Sequence, residues 1–587
     1  MQQLSPQDAQ FLYMESDDNL THVTSINIFD PSTVPGGKVV RFKEIIAHVE
    51  ERLAANPMLR RKLVRVPLEL DYPYWADDEF FDLEYHIRHG RLPRPGDWRQ
   101  FCIHMARYHS RPLDMNKPLW ELYVLEGLDD IDGLPPGCYA VAIKVHHAAV
   151  DGASLVRFLL SLVDIDNQGT PVAPMDYADV EESPRPSLRD MARRAAANNL
   201  RSPVRIADAI LRNSPVLVES ARETLARRGG GKQTVPDTRF NGKVSPHKMF
   251  DACDFALEDL KKIRTLVPGS TINDVVLAVC AGALREYLSH HGELPDDPLV
   301  AWVPINARPG GASDQSDPGN NITAMTTSLH TDEPEPVKRL GEIHASTQRS
   351  KEARSGVSAR LLTDITQHVP AATQVLASRL ILQLSQSVRV CNLFISNVPG
   401  PQFPVYMNGA QQVGSYGLAP LANGMGLFIG TPSYNGRMSF NIISSRELMP
   451  DIRFFAECIA RSMQELLAAA DEHQRKAGGK GAAAAARSSK AKAKTKVARK
   501  PRAKAKATAT STAASKARSK SKATSQGKAK AKTKARSKTK ASTTARAKTP
   551  AKSKAKSKAK PKATAARKAA PKAKAARKRQ VKPKAAD

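Results

Sequence analysis

The sequence predicts an α/β protein of two lobes with a cleft between them, followed by a basic tail. Strand and helix patterns alternate through residues 1–165 and again through residues 236–474, with a loop-rich crossover at residues 166–235. The last segment, residues 475–587, contains no aromatic side chain. A chain of 587 residues exceeds one ordinary core, and mixed elements in two comparable halves favour two lobes.

The first half opens on a helix signal at residues 5–15. Ser5 is expected to cap this helix and Pro6 suits its first turn. Asp8 stands three residues after the cap, where an acidic side chain stabilises a helix start. The pattern therefore predicts a capped helix at the very beginning of the chain.

A strand-to-helix turn is expected near residue 150. Residues 138–145, CYAVAIKV, are apolar apart from Lys144 and predict a buried strand. Residues 152–163 show apolar side chains at helical spacing and predict a buried or amphipathic helix. The short segment between the two elements, HHAAVD, must then form the turn.

The second half shows its own helix and strand signals. Thr271 is the expected cap of a helix, and Asp274 occupies the position of the capping-box acid. Residues 388–397 and 438–444 predict strands, and residues 454–467 predict a closing amphipathic helix. These signals repeat the α/β character of the first half.

The net charge of +31 is concentrated at the C-terminal end of the chain. Residues 475–587 carry 41 Lys and Arg and one acidic residue, so this segment has a charge of +40 and the remainder has −9. Its repeats, such as AKSKAKSKAK, bury too little apolar area to order themselves, so we expect a disordered tail. We expect it to bind nucleic acid without sequence specificity. Anionic lipid is the second candidate and a solubilising brush the third.

Cysteine usage and hydropathy indicate a cytoplasmic protein. No two of the six cysteines lie close enough to form a CxxC-type metal or redox motif. We interpret them as reduced core residues, and we expect no metal site. The N-terminus lacks a signal-peptide pattern and no apolar run is long enough to span a bilayer, so any membrane contact is expected to be peripheral.

The adjacent pair His146 and His147 is the strongest candidate for chemistry. Most histidines are simply satisfied core or surface residues, and a turn-stabilising His–Asp hydrogen bond is another interpretation of the HHAAVDG segment. A neutral imidazole is also the side chain best suited to accept a proton near pH 7. No GxSxG nucleophile elbow or activated cysteine accompanies the pair. A base without its own nucleophile fits activation of a substrate hydroxyl or amine for direct acyl transfer from a thioester.

Several separated motifs together identify the chain as similar to a known family. They are LSPQDAQFLY from residue 4, RPLDMNKPLWE at 111–121, HHAAVDG at 146–152, TINDVVLA at 271–278 and SNVPGP at 396–401. In this order they resemble the bacterial wax ester synthase/acyl-CoA:diacylglycerol acyltransferase family, over roughly residues 4–470. The resemblance implies the two-lobed CoA-dependent acyltransferase fold, which is the fold of chloramphenicol acetyltransferase, with a channel between the lobes.

The resemblance also implies roles for the residues of the central motif. His147 would be the general base on the acceptor hydroxyl, and His146 would support it by shape or hydrogen bonding. Asp151 would be mainly structural, pointing away from the substrate, and Gly152 would allow the tight turn. The other motif residues are expected at the substrate site or in lobe packing: Pro118, Leu119, Trp120, Asn273, Asp274, Asn397, Pro399 and Gly400. For Asn273 a helix-start role is nearly as well supported, and Pro399-Gly400 also suits a plain type II turn.

One block departs from the family pattern. Relatives tend to carry Met-His-Val-Gly where this chain has Thr21, His22, Val23 and Thr24. The resemblance assigns no catalytic role to this block, so the activity implied by the other motifs stands. A change in the acyl pocket is the expected consequence.

The implied reaction transfers a fatty acyl group from acyl-CoA, a substrate rather than a cofactor, to diacylglycerol or a long-chain alcohol. Both acceptors are membrane lipids, so we expect peripheral contact with the inner membrane or lipid inclusions, and the tail adds a possible nucleoid association. Two other interpretations stay open: a condensation-type domain that forms amides, and a decayed acyltransferase body that tethers lipid inclusions to the nucleoid. The motifs do not separate the two acceptors.

Overall fold

The computed structural model describes residues 2–37, 40–53, 56–149, 158–169, 183–212, 235–306, 322–354, 368–384 and 389–496. The helices are α1 (Pro6–Met14), α2 (Phe42–Leu53), α3 (Leu83–His86), α4 (Trp98–His109), α5 (Leu188–Arg212), α6 (Leu257–Arg264), α7 (Ile272–His290), α8 (Pro336–Arg354), α9 (Ala371–Leu384) and α10 (Ile452–Lys496). The strands are β1 (Gln2–Gln3), β2 (His22–Asp30), β3 (Arg61–Val64), β4 (Tyr74–Asp77), β5 (Ile87–Arg91), β6 (Trp120–Glu126), β7 (Tyr139–His146), β8 (Lys248–Ala256), β9 (Val300–Asn306), β10 (Ile322–Ser328), β11 (Leu393–Pro399), β12 (Tyr406–Met407), β13 (Ala410–Leu418), β14 (Leu427–Tyr434) and β15 (Arg437–Ser445).

A six-stranded sheet carries the histidine pair at one end of its central strand. The strand order is β12-β13-β2-β7-β6-β5, and every pair except β5–β6 is antiparallel. All eight residues of β7 are buried. Val141 and Ile143 pack toward α2 on one face, whereas Ala140 and Ala142 pack toward α4 on the other. Cover on both faces explains why this strand is a continuous apolar run rather than an alternating one.

A second six-stranded sheet forms the other lobe, with the order β10-β9-β11-β14-β15-β8. Its strand β11 pairs in parallel with both β14 and β9. The largest apolar cluster lies between this sheet and the helices α7, α8 and α10. Helix α7 begins with the predicted capping box, in which Thr271 and Asp274 exchange side-chain and backbone hydrogen bonds. A further small sheet, β1-β4-β3, packs beside the first lobe.

The second half of the chain also builds the first sheet. Strands β12 and β13 belong to the second half by sequence, yet β13 pairs along β2 from Gln411 opposite Asp30 to Leu418 opposite Thr24. The two lobes are therefore linked by an exchanged strand pair as well as by the crossover. A division of the chain at residue 235 does not separate the two sheets.

The closing helix α10 is longer than its apolar pattern predicted. It runs from Ile452 to Lys496, whereas the pattern indicated residues 454–467. The basic segment that starts at Arg475 thus begins inside this helix. The rest of the predicted tail, residues 497–587, lies outside the described residues.

Lys144 is the one charge in the apolar strand β7, and the structure shows how it is accommodated. Its side chain is fully buried, and its Nζ lies 3.0 Å from Oε2 of Glu121 on β6. The Nζ also donates to the carbonyl oxygens of Tyr108 (3.2 Å) and Arg111 (3.0 Å). Burial lowers the pKa of Lys144, an effect that the Glu121 carboxylate opposes. The last residue of the RPLDMNKPLWE motif is therefore the counter-ion of the central strand.

Five of the six cysteines are buried core residues, as predicted, and Cys253 is half-buried. All six cysteines carry free thiols, and burial raises the pKa of each. A raised thiol pKa disfavours the nucleophilic thiolate. Among the helices in the described ranges, none is both long and apolar enough to cross a membrane.

Candidate active site

The histidine pair lies where β7 ends and the chain turns. His146 is the last residue of β7, opposite His22 of β2. Its backbone N–H donates to the Leu119 carbonyl at 3.0 Å, and the N–H of His147 donates to the Thr21 carbonyl at 3.0 Å. Backbone hydrogen bonds to the segments that precede β6 and β2 thus hold the start of the turn.

The two imidazoles differ in exposure. His146 has no exposed surface, whereas His147 is only half-buried. Neighbouring side chains along an extended segment point to opposite sides, so one ring enters the core and the other reaches the surface of the turn. Of the two, His147 alone can meet a substrate directly.

The hydrogen bonds of His146 define its tautomer. The backbone N–H of Ala148 donates to Nδ1 at 3.0 Å, so Nδ1 is the acceptor and the proton resides on Nε2. That Nε2–H faces Oε2 of Glu15 in a short hydrogen bond, with the Thr21 hydroxyl oxygen at 3.1 Å from the same nitrogen. The imidazole therefore links the carboxylate of Glu15 to the backbone of the turn that follows β7.

The carboxylate of Glu15 is held in its charged form. Burial would raise the pKa of Glu15, but hydrogen bonds from His146 and Thr21 outweigh it and lower the pKa below its usual value. The Thr21 hydroxyl lies 2.9 Å from Oε2 of Glu15 and 2.9 Å from the Phe11 carbonyl oxygen. Glu15, Thr21 and His146 form one connected group beneath the turn.

Helix α1 supplies contacts to both histidines. The ring of Phe11 stacks on that of His147, with centroids 3.9 Å apart and planes inclined by 9°. Phe11 and Glu15 are four residues apart and so share one face of the helical turn. The N-terminal helix, capped by Ser5 as predicted, is thus a wall of the candidate site.

Glu15 was not predicted to belong to the site. The helix was predicted from its cap and spacing, but no role was predicted for the acidic residue that follows its last position. A carboxylate at a helix C-terminus is unfavourable because the helix dipole is negative there, so it needs a compensating partner. That rule was the available signal, and His146 is the partner.

Two predicted site residues cannot be placed. Asp151 and Gly152 lie outside the described residues, as does the first half of the predicted helix at residues 152–163. Their expected roles in the turn remain predictions.

The PLW motif packs beneath the end of β7. Pro118, Leu119 and Trp120 are all buried, and the Leu119 carbonyl accepts the His146 N–H. The indole Nε1–H of Trp120 donates to the Leu59 carbonyl at 2.8 Å, and its ring stacks on His86 with centroids 4.7 Å apart. These contacts fit a role in packing and in holding the histidine turn.

The ND motif stands at the start of α7. Asp274 is fully buried. Its Oδ2 accepts a hydrogen bond from the Thr271 N–H at 2.8 Å and lies 2.9 Å from Nδ1 of His344 on α8. Its Oδ1 accepts a hydrogen bond from the Thr347 hydroxyl at 2.7 Å. These bonds lower the pKa of Asp274 although burial opposes them. Asp274 therefore caps α7 and joins it to α8. Its neighbour Asn273 is half-buried.

The SNVPGP motif ends strand β11. Asn397 pairs with Thr431 and Pro399 with Ser433 across the parallel ladder to β14. Gly400 does not have the positive φ that a type II turn requires at its third residue, so the turn suggested by Pro399-Gly400 is not formed. A Cβ on Gly400 would instead lie 2.4 Å from the Ser433 carbonyl oxygen. The glycine is needed for close approach of two backbones, not for its turn geometry.

The block at residues 21–24, which differs from the family pattern, contributes to a cluster of buried polar side chains beside His146 and His147. His22 donates from Nε2 to the His109 carbonyl at 2.6 Å, and the hydroxyl oxygen of Thr24 lies 2.8 Å from Nδ1 of His109. Thr21 contacts His146 from the other end of the block. Thr21 and Thr24, the two residues that differ from the family pattern, thus place hydroxyl groups beside His146 and His109.

We predict that the protein loses stability steadily as the pH falls below 6.5. Burial, together with the nearby Lys144 and Lys248, lowers the pKa of His109 to about 3, and burial lowers that of His22 well below 6.5. Because the folded pKa lies below the unfolded one, the stabilisation is complete above pH 6.5 and is lost as the pH falls toward 3. Each such histidine costs up to about 1.4 kcal/mol per pH unit. Denaturant titrations at a series of pH values measure this.

A matched pair of variants isolates the contribution of His109. His109→Gln should flatten the decline of the free energy of unfolding with acid, whereas His473→Gln, at an exposed position of α10, should leave it unchanged. Equal slopes for His109→Gln and the wild type would contradict the assignment.

A cavity lies apart from the sequence motifs. It has a volume of about 330 Å³, lies along α2 and is lined by Val34, Val40, Glu44, Ala47, His48, Glu51 and Asn408, none of which belongs to a motif. Over the described ranges, no group of three or more His, Cys, Asp or Glu side chains is placed to hold a metal ion. The histidine turn is the arrangement best suited to proton transfer.

Comparison with a solved structure places the fold. The wax ester synthase/diacylglycerol acyltransferase of Marinobacter aquaeolei VT8 matches with a TM-score of 0.55 and 26% sequence identity. The match covers 80% of this chain and 100% of that chain. Together with the two lobes and the histidine turn, it defines the class: a two-lobed acyltransferase.

Sequence comparisons narrow the class to one family. The profile of the wax ester synthase/diacylglycerol acyltransferase catalytic domain matches residues 4–276, and that of the WS/DGAT C-terminal domain matches residues 318–467. Rv1760 of Mycobacterium tuberculosis, which bears the name of a diacylglycerol O-acyltransferase, is 34% identical over 80% of this chain and 91% of its own. A second protein of that organism with such a name, tgs2, is 31% identical over 79% and 99%. The chain belongs to the wax ester synthase/diacylglycerol acyltransferase family.

Proposed function

We propose that this protein transfers a fatty acyl group from acyl-CoA to the hydroxyl of diacylglycerol or of a long-chain alcohol, with His147 as the general base. The observation that supports this role is the difference between the two imidazoles. The His147 ring is half-exposed, whereas the His146 ring is fully buried and hydrogen-bonded to Glu15. The names of the similar proteins and of the family support the substrate class.

The proposed reaction needs one mobile proton and no covalent enzyme intermediate. His147 accepts the hydroxyl proton as the oxygen attacks the thioester carbonyl. The tetrahedral intermediate then collapses, the C–S bond breaks, and the imidazolium returns its proton to the CoA thiolate. A thiol pKa of about 8.5 makes CoA a good leaving group, so activation of the alcohol is the demanding step.

The other site residues have positioning roles in this proposal. Phe11 stacks on the ring of His147 and orients it. Glu15 and His146 hold the turn through the bond from Ala148 to Nδ1. Asp151 and Gly152 shape the rest of the turn, as the family motif implies. The further residues maintain the lobes around the channel: Pro118, Leu119, Trp120, Asn273, Asp274, Asn397, Pro399 and Gly400.

One assay tests the function and selects the acceptor. The purified full-length protein is given radiolabelled palmitoyl-CoA with diacylglycerol, with hexadecanol, or with an amine acceptor. Ester formation with either alcohol is expected. Amide formation alone would favour a condensation-type reaction, and no product from any acceptor would indicate a decayed enzyme that acts as a tether.

The basic tail is proposed to bind DNA without sequence specificity. Its charge of +40 over residues 475–587 should release many counterions on binding, and the absence of aromatic side chains leaves no means of base stacking. The full-length chain should retard unrelated DNA duplexes equally in a gel, with an affinity that falls steeply as salt rises. A chain truncated after Gln474 serves as the control, and equal retardation by both would refute the assignment to the tail. Binding would add nucleoid association to the proposed position at the inner membrane or lipid inclusions.

A further inference from the structure

Helix α5, in the crossover between the lobes, presents apolar side chains to solvent. Leu200, Val204 and Leu211 are 82%, 71% and 72% exposed. Their spacings of four and seven residues bring them onto one face of a helix with 3.6 residues per turn. We call these three residues the α5 stripe.

The opposite face of α5 is anchored, so the stripe is held outward. Asn198 donates from Nδ2 to Asp71 at 2.8 Å, and Asn199 donates from Nδ2 to the Leu70 carbonyl at 2.8 Å. The hydroxyl of the buried Ser202 donates to the His368 carbonyl just before α9. These bonds tie the helix to both halves of the chain.

Positive charge accompanies the stripe. α5 contains six arginines and two aspartates, so its side chains carry a net charge of +4. Arg201, Arg205 and Arg212 are exposed and lie along one edge of the stripe, at about 100–140° from Leu200 around the helix axis. An apolar face bordered by arginines is typical of a helix that lies in the headgroup region of an anionic bilayer.

The segments bonded to α5 extend the apolar surface. Leu68, in the loop that Asn199 holds, is 87% exposed and has a positive φ of 59°, which is uncommon for a bulky residue. On α9, which begins beside His368, Leu376 and Leu380 are exposed one helical turn apart. Separate projecting side chains, rather than a shaped groove, suit insertion into lipid better than docking of a folded partner.

The same surface connects to the candidate active site. Helix α9 packs on α1 through Ala371 and Val375, and Gln374 donates to the Pro6 carbonyl at 2.6 Å. Phe11 of α1 stacks on His147, and Glu15, the C-cap residue of α1, bonds to His146. Helix α9, which carries Leu376 and Leu380, therefore packs against the helix that contacts the histidines.

We propose that the α5 stripe, with Leu68, Leu376 and Leu380, is the surface that docks this enzyme on an anionic phospholipid bilayer. Docking there would bring the site to the leaflet in which the acceptor lipid resides. The reason for docking rests on the proposed function. The position of the docking surface rests on the exposure, spacing and charge of these residues.

Depth quenching tests the location without any turnover. Full-length Leu200→Trp is mixed with phosphatidylcholine/phosphatidylglycerol vesicles whose acyl chains are brominated. The added indole fluorescence should be quenched and shifted to the blue, and Val204→Trp should behave likewise. Ile165→Trp is the matched control, because Ile165 is 73% exposed but lies next to Asp164, which pairs with Arg52 of α2. The basic tail also attracts anionic vesicles, so the protein can bind to them without inserting the stripe. If the protein is bound to vesicles but neither the indole at position 200 nor that at position 204 is quenched, the proposal is overturned.

Turnover separates this inference from the proposed function. Leu200→Glu/Val204→Glu should raise KM for diacylglycerol in such vesicles about tenfold, since two charges oppose insertion, and should leave kcat for a short, water-soluble alcohol unchanged. Ile165→Glu should change neither. Equal KM values for wild type and the double variant would refute docking by the stripe. Loss of esterification by the wild type as well would refute the proposed function, while the quenching result would still decide the docking surface.

Discussion

His147→Ala is expected to lower kcat about 100- to 10,000-fold, the range that one positioned general base contributes. The ring is half-buried and stacks on Phe11, and the stability change is expected to be small beside the loss of kcat. The backbone N–H of residue 147 still donates to Thr21, because the substitution leaves the main chain unchanged. Esterification kinetics and thermal unfolding of the same preparation measure both effects.

The matched control is His473→Ala, which removes an exposed imidazole of α10. It should retain wild-type kcat. A folded His147→Ala protein that esterifies at the wild-type rate would exclude His147 as the base. In that case the buried His146 could not replace it without a rearrangement that exposes its ring.

Glu15→Leu is expected to lower kcat about 100-fold, because a small displacement of a catalytic group has an effect of that order. The substitution leaves the buried Nε2–H of His146 without its carboxylate, which costs about 1–3 kcal/mol of stability. The Nδ1 of the same ring holds the backbone at Ala148, so a tilted imidazole moves the turn that presents His147. The expected effect is mainly on kcat, with KM for acyl-CoA nearly unchanged.

Two further variants separate positioning from folding. Glu15→Gln keeps an acceptor oxygen for Nε2–H and should recover most of the lost kcat, whereas Glu258→Leu changes an exposed carboxylate and should have no effect. Glu15→Leu/His146→Leu should be far less than additive in ΔΔG‡, since both residues act through the same turn. Additive losses, or a Glu15→Gln protein that is folded and as slow as Glu15→Leu, would show that Glu15 does not act through His146.

Acid sensitivity follows from the same contact. Because hydrogen bonds lower the pKa of Glu15 in the folded state, its stabilisation is present above the unfolded value of 4.5 and is lost as the pH falls through the folded value. Loss of the carboxylate charge should therefore loosen the turn under acid conditions. The decline from His109 begins at higher pH, so the two contributions fall in different pH ranges.

Local signals in the sequence were sufficient for several elements. Ser5 and Thr271 were identified as caps because capping depends on a side chain and a backbone N–H only three residues apart. Strand β7 was identified by its apolar run, interrupted only by Lys144, which indicates cover on both faces. The histidine turn followed from the position of HHAAVDG after that strand.

Other features depended on contacts between distant parts of the chain. Strand β13 pairs with β2 across almost four hundred residues, and its composition does not name its partner. The type II turn that Pro399-Gly400 also suited is not formed, and the space at Gly400 is limited instead by the Ser433 carbonyl of a distant strand. Glu15 and His146 are 131 positions apart, so no local pattern joined them.

The sequence by itself therefore determined the capped helices, the buried strand, the family motifs and the charge of the tail, since each depends on residues close together in the chain. Only the tertiary structure decided which of two adjacent imidazoles is exposed, which carboxylate holds the other, and which crossover residues face solvent. Burial and hydrogen-bond partners arise from packing between distant segments, and a linear pattern cannot specify that packing.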